Sequence, residues 1–320
     1  MRSYAICVAL ALALATGLAC AQKYPLKPVR VVIPWPPAGS NDTVGRIVVQ
    51  KLSDITGQQF LVENRGGGSG TMGSDVVAKS AADGYTIMIH SATHLANAHL
   101  YKKLPYDTLK DFVGIAPISA QIGMLVVHPS MPVKTVKDFI ALARSKPGQI
   151  AYGSAGSGSF HHLAMALFNA TTNTKMIHVA YKGGGPAAVG IGSGEVQATI
   201  ATIANVTSQI EAKRVRPIAV TSDYRVGAFP NVPTFAESGV PGYEFTAWVG
   251  ALSPTGTPKP ILDKLNADIQ KILRMPDVVE KLKTQALDPM FMTPEQFAQR
   301  LKSDYEKYGK VIKLAGVTGD

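Results

Sequence analysis

The chain has 320 residues, with 32 Lys and Arg against 22 Asp and Glu and a formal net charge of +10. About 300 residues exceed what one hydrophobic core usually serves, which points to two domains. The positive balance suits small anions, while the lack of a dense Lys/Arg run or a base-reading motif argues against nucleic acid as a partner.

In chain order the first element is an export leader. Arg2 supplies a basic start, residues 5–18 are apolar apart from Thr16 and Gly17, and Ala19-Cys20-Ala21 fits a small-x-small cleavage pattern. The run is too short for a comfortable membrane span. The cut is expected after Ala21, which places the mature chain in a periplasm. Gly17 stands where a lipid-anchor signal at Cys20 would want a large aliphatic residue. Cys7 and Cys20 both fall in the leader, so the mature chain is left without a disulfide, a cysteine nucleophile or a cysteine metal site.

Short apolar strands then alternate with amphipathic helices, the pattern of an α/β fold with parallel sheets. Residues 29–33 read as a strand. A turn follows, then a helix whose Val44, Ile47, Val48 and Leu52 recur at one helical face. Further strands are expected at 59–62, 86–89 and 124–127, with a helix over 76–79. After the turn at His128-Pro129, a helix is expected over 136–144, a strand at 150–152 and a helix over 163–169. Strands at 177–180, 197–200 and 217–220 complete this second set. Residues 245–252 read as a strand and 260–273 as an amphipathic helix with Pro260 in its first turn.

Two loops share one design. Residues 33–43 join a strand to a helix through Ala38, Gly39 and Ser40, which add little bulk. Residues 153–159 do the same after Tyr152, with Ser157 or Ser159 as the helix cap. Free N–H groups and partial positive charge at a helix start stabilise a carboxylate or phosphate. If the two domains face each other, both helix starts converge on one anion. Taken alone, the first loop reads more readily as an ordinary capped turn.

Other motifs weigh less. Gly68, Gly70 and Gly73 spell G-x-G-x-x-G after a strand, but the next strand ends at His90 rather than at an acidic residue. A tight turn with close backbone packing is preferred to a dinucleotide site. No cofactor is expected. His90 and His94, and His161 and His162, lack a metal-site pattern, and no metal is expected. Lys182, after the strand ending near Tyr181, is either a charge for an acidic ligand or a solvated surface lysine.

Taken in order, these stretches resemble the extracytoplasmic solute receptors of tripartite tricarboxylate transporters, also called Bug-type receptors. The resemblance rests on Pro34-Trp35-Pro36-Pro37-Ala38-Gly39-Ser40-Asn41-Asp42, Glu63-Asn64-Arg65 and Ala82-Asp83-Gly84-Tyr85-Thr86. It continues through Tyr152-Gly153-Ser154-Ala155-Gly156-Ser157-Gly158-Ser159, Tyr181-Lys182-Gly183, and Trp248-Val249-Gly250 ahead of Pro254-Thr255-Gly256-Thr257-Pro258. It covers essentially the whole mature chain.

The resemblance implies a periplasmic-binding-protein-like α/β fold, a Venus flytrap of two α/β domains joined by a hinge with the ligand cleft between them. The expected division is 22–127 plus 246–320 for one domain and 128–245 for the other. It implies capture of a small organic carboxylate, a di- or tricarboxylate or an aromatic acid, for delivery to integral membrane transporter subunits. A monomer without enzymatic activity is expected. By motif, Ala38, Gly39 and Ser40 would hold the carboxylate together with Ser154, Ala155, Gly156, Ser157, Gly158 and Ser159. Trp35, Thr93, His94, His161, Tyr181, Ala201, Thr202 and Trp248 are the further candidates for the cleft.

Two departures from the family pattern bear on this. Ala38 replaces the first member of a usual Gly pair, which would strain the loop if the position needs positive φ. Ala201 stands where many relatives carry an Asp that holds an amine or amide, so a ligand without a cationic amine is expected. Two alternatives remain. One is an exported serine hydrolase using Ser154 or Ser157 with His161, although neither serine sits in Gly-x-Ser-x-Gly. The other is a ligand sensor for a membrane signalling partner.

Overall fold

The computed structural model describes residues 24–318; the expected leader, with Cys7, Cys20 and the cut after Ala21, lies outside the described residues. Strand β1 (Val29–Ile33) runs parallel to β2 (Phe60–Asn64) and β3 (Thr86–Ser91). Beside β3 lies β9 (Thr246–Pro254), antiparallel, and then the first part of the long strand β4 (Phe112–Val127). The end of β4 enters a second set of strands. There it pairs antiparallel with β7 (Ala198–Thr202) and β8 (Arg216–Val220). The parallel strands β5 (Ala151–Ser154) and β6 (Ile177–Ala180) extend that set beyond β7.

The sheets are therefore mixed rather than parallel throughout. Each set has a parallel βαβ half, and β4 and β9 run antiparallel through the middle. The change of sheet falls between Ile122, paired with Thr246, and Gly123, paired with Thr202. One strand thus ties both halves together at the level where their loops meet.

Ten helices flank these strands among the described residues. Helix α1 (Ser40–Thr56) buries Val44, Val48, Val49 and Leu52 against the first sheet, at about 1.5–3 kcal/mol for each large apolar side chain. Gly39 precedes it and Gly57, in the left-handed region, stops it. Helices α2 (Thr71–Ala78) and α3 (Thr93–Leu100) frame β3. The second half carries α4 (Val136–Ser145), with a Thr135–Asp138 capping box, and α5 (Phe160–Thr172). Helices α6 (Gly184–Ser193) and α7 (Ile203–Glu211) follow β6 and β7.

After β9 come α8 (Lys259–Ile272), α9 (Pro276–Thr284) and α10 (Pro294–Ala315), each with Pro in its first turn. Helix α10 packs on α3 of the first half and α5 of the second. A single apolar cluster consequently runs from Leu252 and Phe297 to Leu163 and Phe168.

Candidate ligand-binding chamber

One buried carboxylate shapes the loop after β1. Ala38 adopts φ +65°, a left-handed conformation that costs an alanine about 1–2 kcal/mol. Its N–H donates to Asp42 Oδ2 at 3.0 Å. Asp42, in the first turn of α1, also accepts from Arg46 Nε at 2.9 Å and Asn64 Nδ2 at 2.9 Å. Burial by itself pushes the Asp42 carboxyl up, but the bonds from Arg46, Asn64 and Ala38 outweigh it and hold the group below its ordinary value. Asn64 Nδ2 also reaches Trp35 O at 3.0 Å, and Trp35 Nε1 donates to His90 Nδ1 at 3.2 Å.

The loop after β5 is wired differently. Ser154 Oγ lies 2.6 Å from His178 Nε2 and accepts the Gly156 N–H at 3.1 Å. Gly158, at φ +77°, donates its N–H to His162 Nδ1 at 3.0 Å. A Cβ on Gly158 would meet Leu100 Cδ1 at 2.2 Å, so both backbone and space demand glycine. Ser159 caps α5 by accepting the His162 N–H at 3.4 Å. The Ser69 hydroxyl, in the turn after β2 of the first half, donates to Ser157 O of the second, joining that turn to the loop after β5.

Between the loops lies a narrow chamber. Trp35, Pro36, Pro37, Gly39, Ser40 and Asn41 form one wall, with Ser91 at the end of β3, Thr93 at the start of α3 and Gln121 on β4. Ala155, Ser159, Phe160 and His161 face them, together with Gly184, Gly185, Thr202 and Asn205. The starts of α1, α5 and α6 all open on this space, and each brings N–H groups outside the helical hydrogen-bond ladder and partial positive charge. The lining contains no Asp, Glu, Lys or Arg. Burial pushes the His161 imidazole down to about 4, which leaves it neutral near pH 7.

Polar groups cross this space. The Ser40 N–H donates to Asn205 Oδ1 at 3.0 Å, and Asn205 Nδ2 meets His161 Nε2 at 3.2 Å. Gln121 Nε2 donates to Ser40 Oγ at 3.0 Å. Four buried atoms of the wall, Asn41 Oδ1, Gln121 Oε1, His161 Nδ1 and Thr202 Oγ1, have no protein partner. Leaving such groups unpaired costs about 1–3 kcal/mol each, so a polar ligand that satisfies them binds favourably.

The candidates from sequence divide by position. Trp35, Gly39, Ser40, Thr93, Ala155, Ser159, His161 and Thr202 line the chamber. Ala38 shapes its rim through Asp42. Gly156, Ser157 and Tyr181 instead line a wider groove beside it, which Trp35 and Ala155 border as well. Ser154 turns to His178 and Gly158 packs on Leu100. Ala201 is buried beside Ile122 and Met124.

Two aromatic candidates belong to the core. His94 is fully buried, stacked on Tyr106 and edge-on to Phe112. Trp248 is fully buried against Phe297 and donates Nε1–H to Asp304 Oδ2 at 2.9 Å. Such rings bury more apolar area between elements than along a polar chamber.

Asn41, Ser91, Gln121, Gly184, Gly185 and Asn205 were not among the candidates. The glycines after β6 repeat the small-residue signal of the other two loops and could have been included. Gln121 and Asn205 carry no local pattern. For the hydrolase alternative, Ser154 stands against His178 while His161 is bonded to Asn205. Gly70 packs on His90, where a Cβ would meet Nε2 at 2.4 Å, the close packing expected of the Gly68–Gly70 turn. Among the described residues no three His, Cys, Asp or Glu converge to hold a metal ion, and no helix is long and apolar enough to cross a membrane.

Comparison with known proteins places this architecture. The model of the tripartite tricarboxylate transporter family receptor matches residues 44–317. The UPF0065 protein in the tcbD-tcbE intergenic region of Pseudomonas sp. strain P51 is 38% identical over 307 residues, 95% of this chain and 91% of that one. The structure of R. palustris Rpa4515 with adipate superposes with a TM-score of 0.89 at 33% identity, covering 92% of this chain and 99% of that one. MatC from Rhodopseudomonas palustris with bound malate gives 0.86 at 29% identity, covering 90% and 100%. A family match across nearly all the described fold, around a chamber built from helix starts, means that this chain belongs to the tripartite tricarboxylate transporter receptor family.

Proposed function

We propose that this receptor holds a small organic carboxylate, a di- or tricarboxylate or an aromatic acid, in the chamber at Ser40, His161 and Thr202, and passes it to the membrane subunits of its transporter. The observation that carries the reading is a chamber with no charged side chain at which three helix starts meet. Fixed N–H dipoles balance an anion without a buried countercharge. The lack of an acidic group in the lining supports a ligand without a cationic amine. Rpa4515 with adipate and MatC with malate are relatives whose ligands fit this chemistry.

The two sheets act as two domains that close over the ligand, divided into 22–127 with 246–320 and 128–245 except that residues 123–127 pair within the second sheet and go with the second domain. Their connections run where β4 changes sheets and where the chain re-enters at Thr246. Closure favours the bound state through contacts made by both halves at once. The mature chain, cut after Ala21, works in the periplasm as a monomer without catalytic activity.

The test is calorimetric titration with adipate, malate, citrate and benzoate beside glutamate and glutamine. Binding of one or more of the plain acids is expected, with a rise in apparent Tm, because a ligand that binds only the folded state stabilises it. Tight binding of the amino acids with none of the plain acids would overturn the reading.

A further inference from the structure

The hydrogen bonds around Asn205 determine which ring nitrogen of His161 carries the proton. A backbone N–H can only donate, so the 3.0 Å contact from Ser40 identifies the Asn205 atom that faces it as the oxygen. The amide nitrogen is then the atom facing His161 Nε2 at 3.2 Å, and as a donor it requires a bare Nε2. A neutral imidazole with a bare Nε2 has its hydrogen on Nδ1. Nδ1 is buried, belongs to a residue of the chamber wall, and has no protein partner.

We infer that Asn205 is a positioning residue that sets the His161 tautomer, so that His161 presents a neutral Nδ1–H donor to an acidic ligand. The relay starts on α1 of one half and ends on α5 of the other. It therefore spans the two halves, while its Asn205–His161 bond lies wholly within the second. Gly184 leaves room for it, since a Cβ there would lie 2.1 Å from Asn205 Nδ2. Burial keeps the ring neutral, so the donor is a dipole like the helix N–H groups around it. The ligand part of this inference rests on the carboxylate reading above; the tautomer part does not.

The experiment is long-range proton–nitrogen NMR on ¹⁵N-histidine-labelled protein near neutral pH, with His161 signals assigned through His161→Gln. The wild-type chain without ligand should show a protonated Nδ1 and a bare Nε2. In Asn205→Asp the new carboxylate can only accept, so Nε2 should gain a proton. In Asn205→Ala the ring should show a mixture of tautomers, and this variant decides the matter if the Asp variant fails to fold by circular dichroism. Adipate titration is the second readout, with affinity falling about tenfold or more in Asn205→Asp, the scale of one hydrogen bond to a charged group. A wild-type ring protonated on Nε2, or an Nε2 left bare in Asn205→Asp, overturns the inference. Absence of adipate binding to the wild type counts against adipate as ligand and leaves the tautomer result standing.

Discussion

Asp42 accepts the backbone N–H of Ala38 at 3.0 Å, and this bond closes the turn in which Ala38 sits at φ +65°. The strain and its compensation lie four residues apart, on the rim of the chamber. Arg46 and Asn64 complete the coordination of the same carboxylate.

Glycine at position 38 should relieve that strain. Removing about 1–2 kcal/mol of left-handed cost outweighs the roughly 0.5–1 kcal/mol that glycine adds in unfolded-chain entropy. Ala38→Gly is expected to leave the urea midpoint unchanged or raise it by the equivalent of about 1 kcal/mol. A clear fall in the midpoint would show that the Asp42 bond already accommodates alanine without strain.

Thr202 separates ligand binding from folding. Its Oγ1 is buried with no protein partner, so replacing the hydroxyl by an isosteric methyl in Thr202→Val should leave unfolding unchanged or slightly delayed. Affinity for the acid identified by titration should drop about tenfold. Equal affinities for variant and wild type would place the ligand away from the end of β7.

Trp248 predicts the opposite behaviour. Trp248→Phe keeps most of the packing on Phe297 but removes the Nε1–H that Asp304 accepts. The buried Asp304 keeps the bond from Arg300 Nε at 2.6 Å. Stability should fall by about 1–3 kcal/mol, read by urea unfolding, with ligand affinity within about twofold of wild type. A large loss of affinity at full stability would return Trp248 to the site.

Buried histidines set the acid limit. Burial pushes His94 and His161 down to about 4 from 6.5; for His90 burial, aided by His94, lowers the ring well below 6.5. The unfolded chain therefore takes up protons as pH falls through 6.5, while the folded chain refuses them until about 4. Their contribution is whole above about pH 6.5 and drains away as pH falls from there toward about 4. Asp42 adds a further loss below 3.8, its ordinary value, as its depressed carboxyl is protonated. Urea midpoints should accordingly decline between about pH 6.5 and about pH 5. A flat profile across that window would mean that these rings are not held neutral.

Much of the scaffold was legible in the chain itself. The strand Val29–Ile33, the apolar stripe of Ser40–Thr56 and the Pro-started helix Lys259–Ile272 follow from alternation, periodicity and capping, which are local properties. The two small-residue loops were visible for the same reason. The first half of β4 was not. Gly114 and Pro117 interrupt its pattern, and the fold accommodates them where the pairing with β9 slips register. Helix α3 escaped because residues 93–97 are buried all round, which erases the single apolar face that periodicity detects.

The convergence of polar groups was decided by tertiary structure alone. Ser40 and Asn205 stand 165 residues apart and share a hydrogen bond. Gln121 reaches Ser40 from the strand that joins the sheets. His94 and Trp248, which resemble site residues by type, were drawn into the core by their apolar area. Periodic patterning reports what a segment buries against its own neighbours. Which donors and acceptors finally face one another depends on how distant segments pack, and no local pattern encodes that.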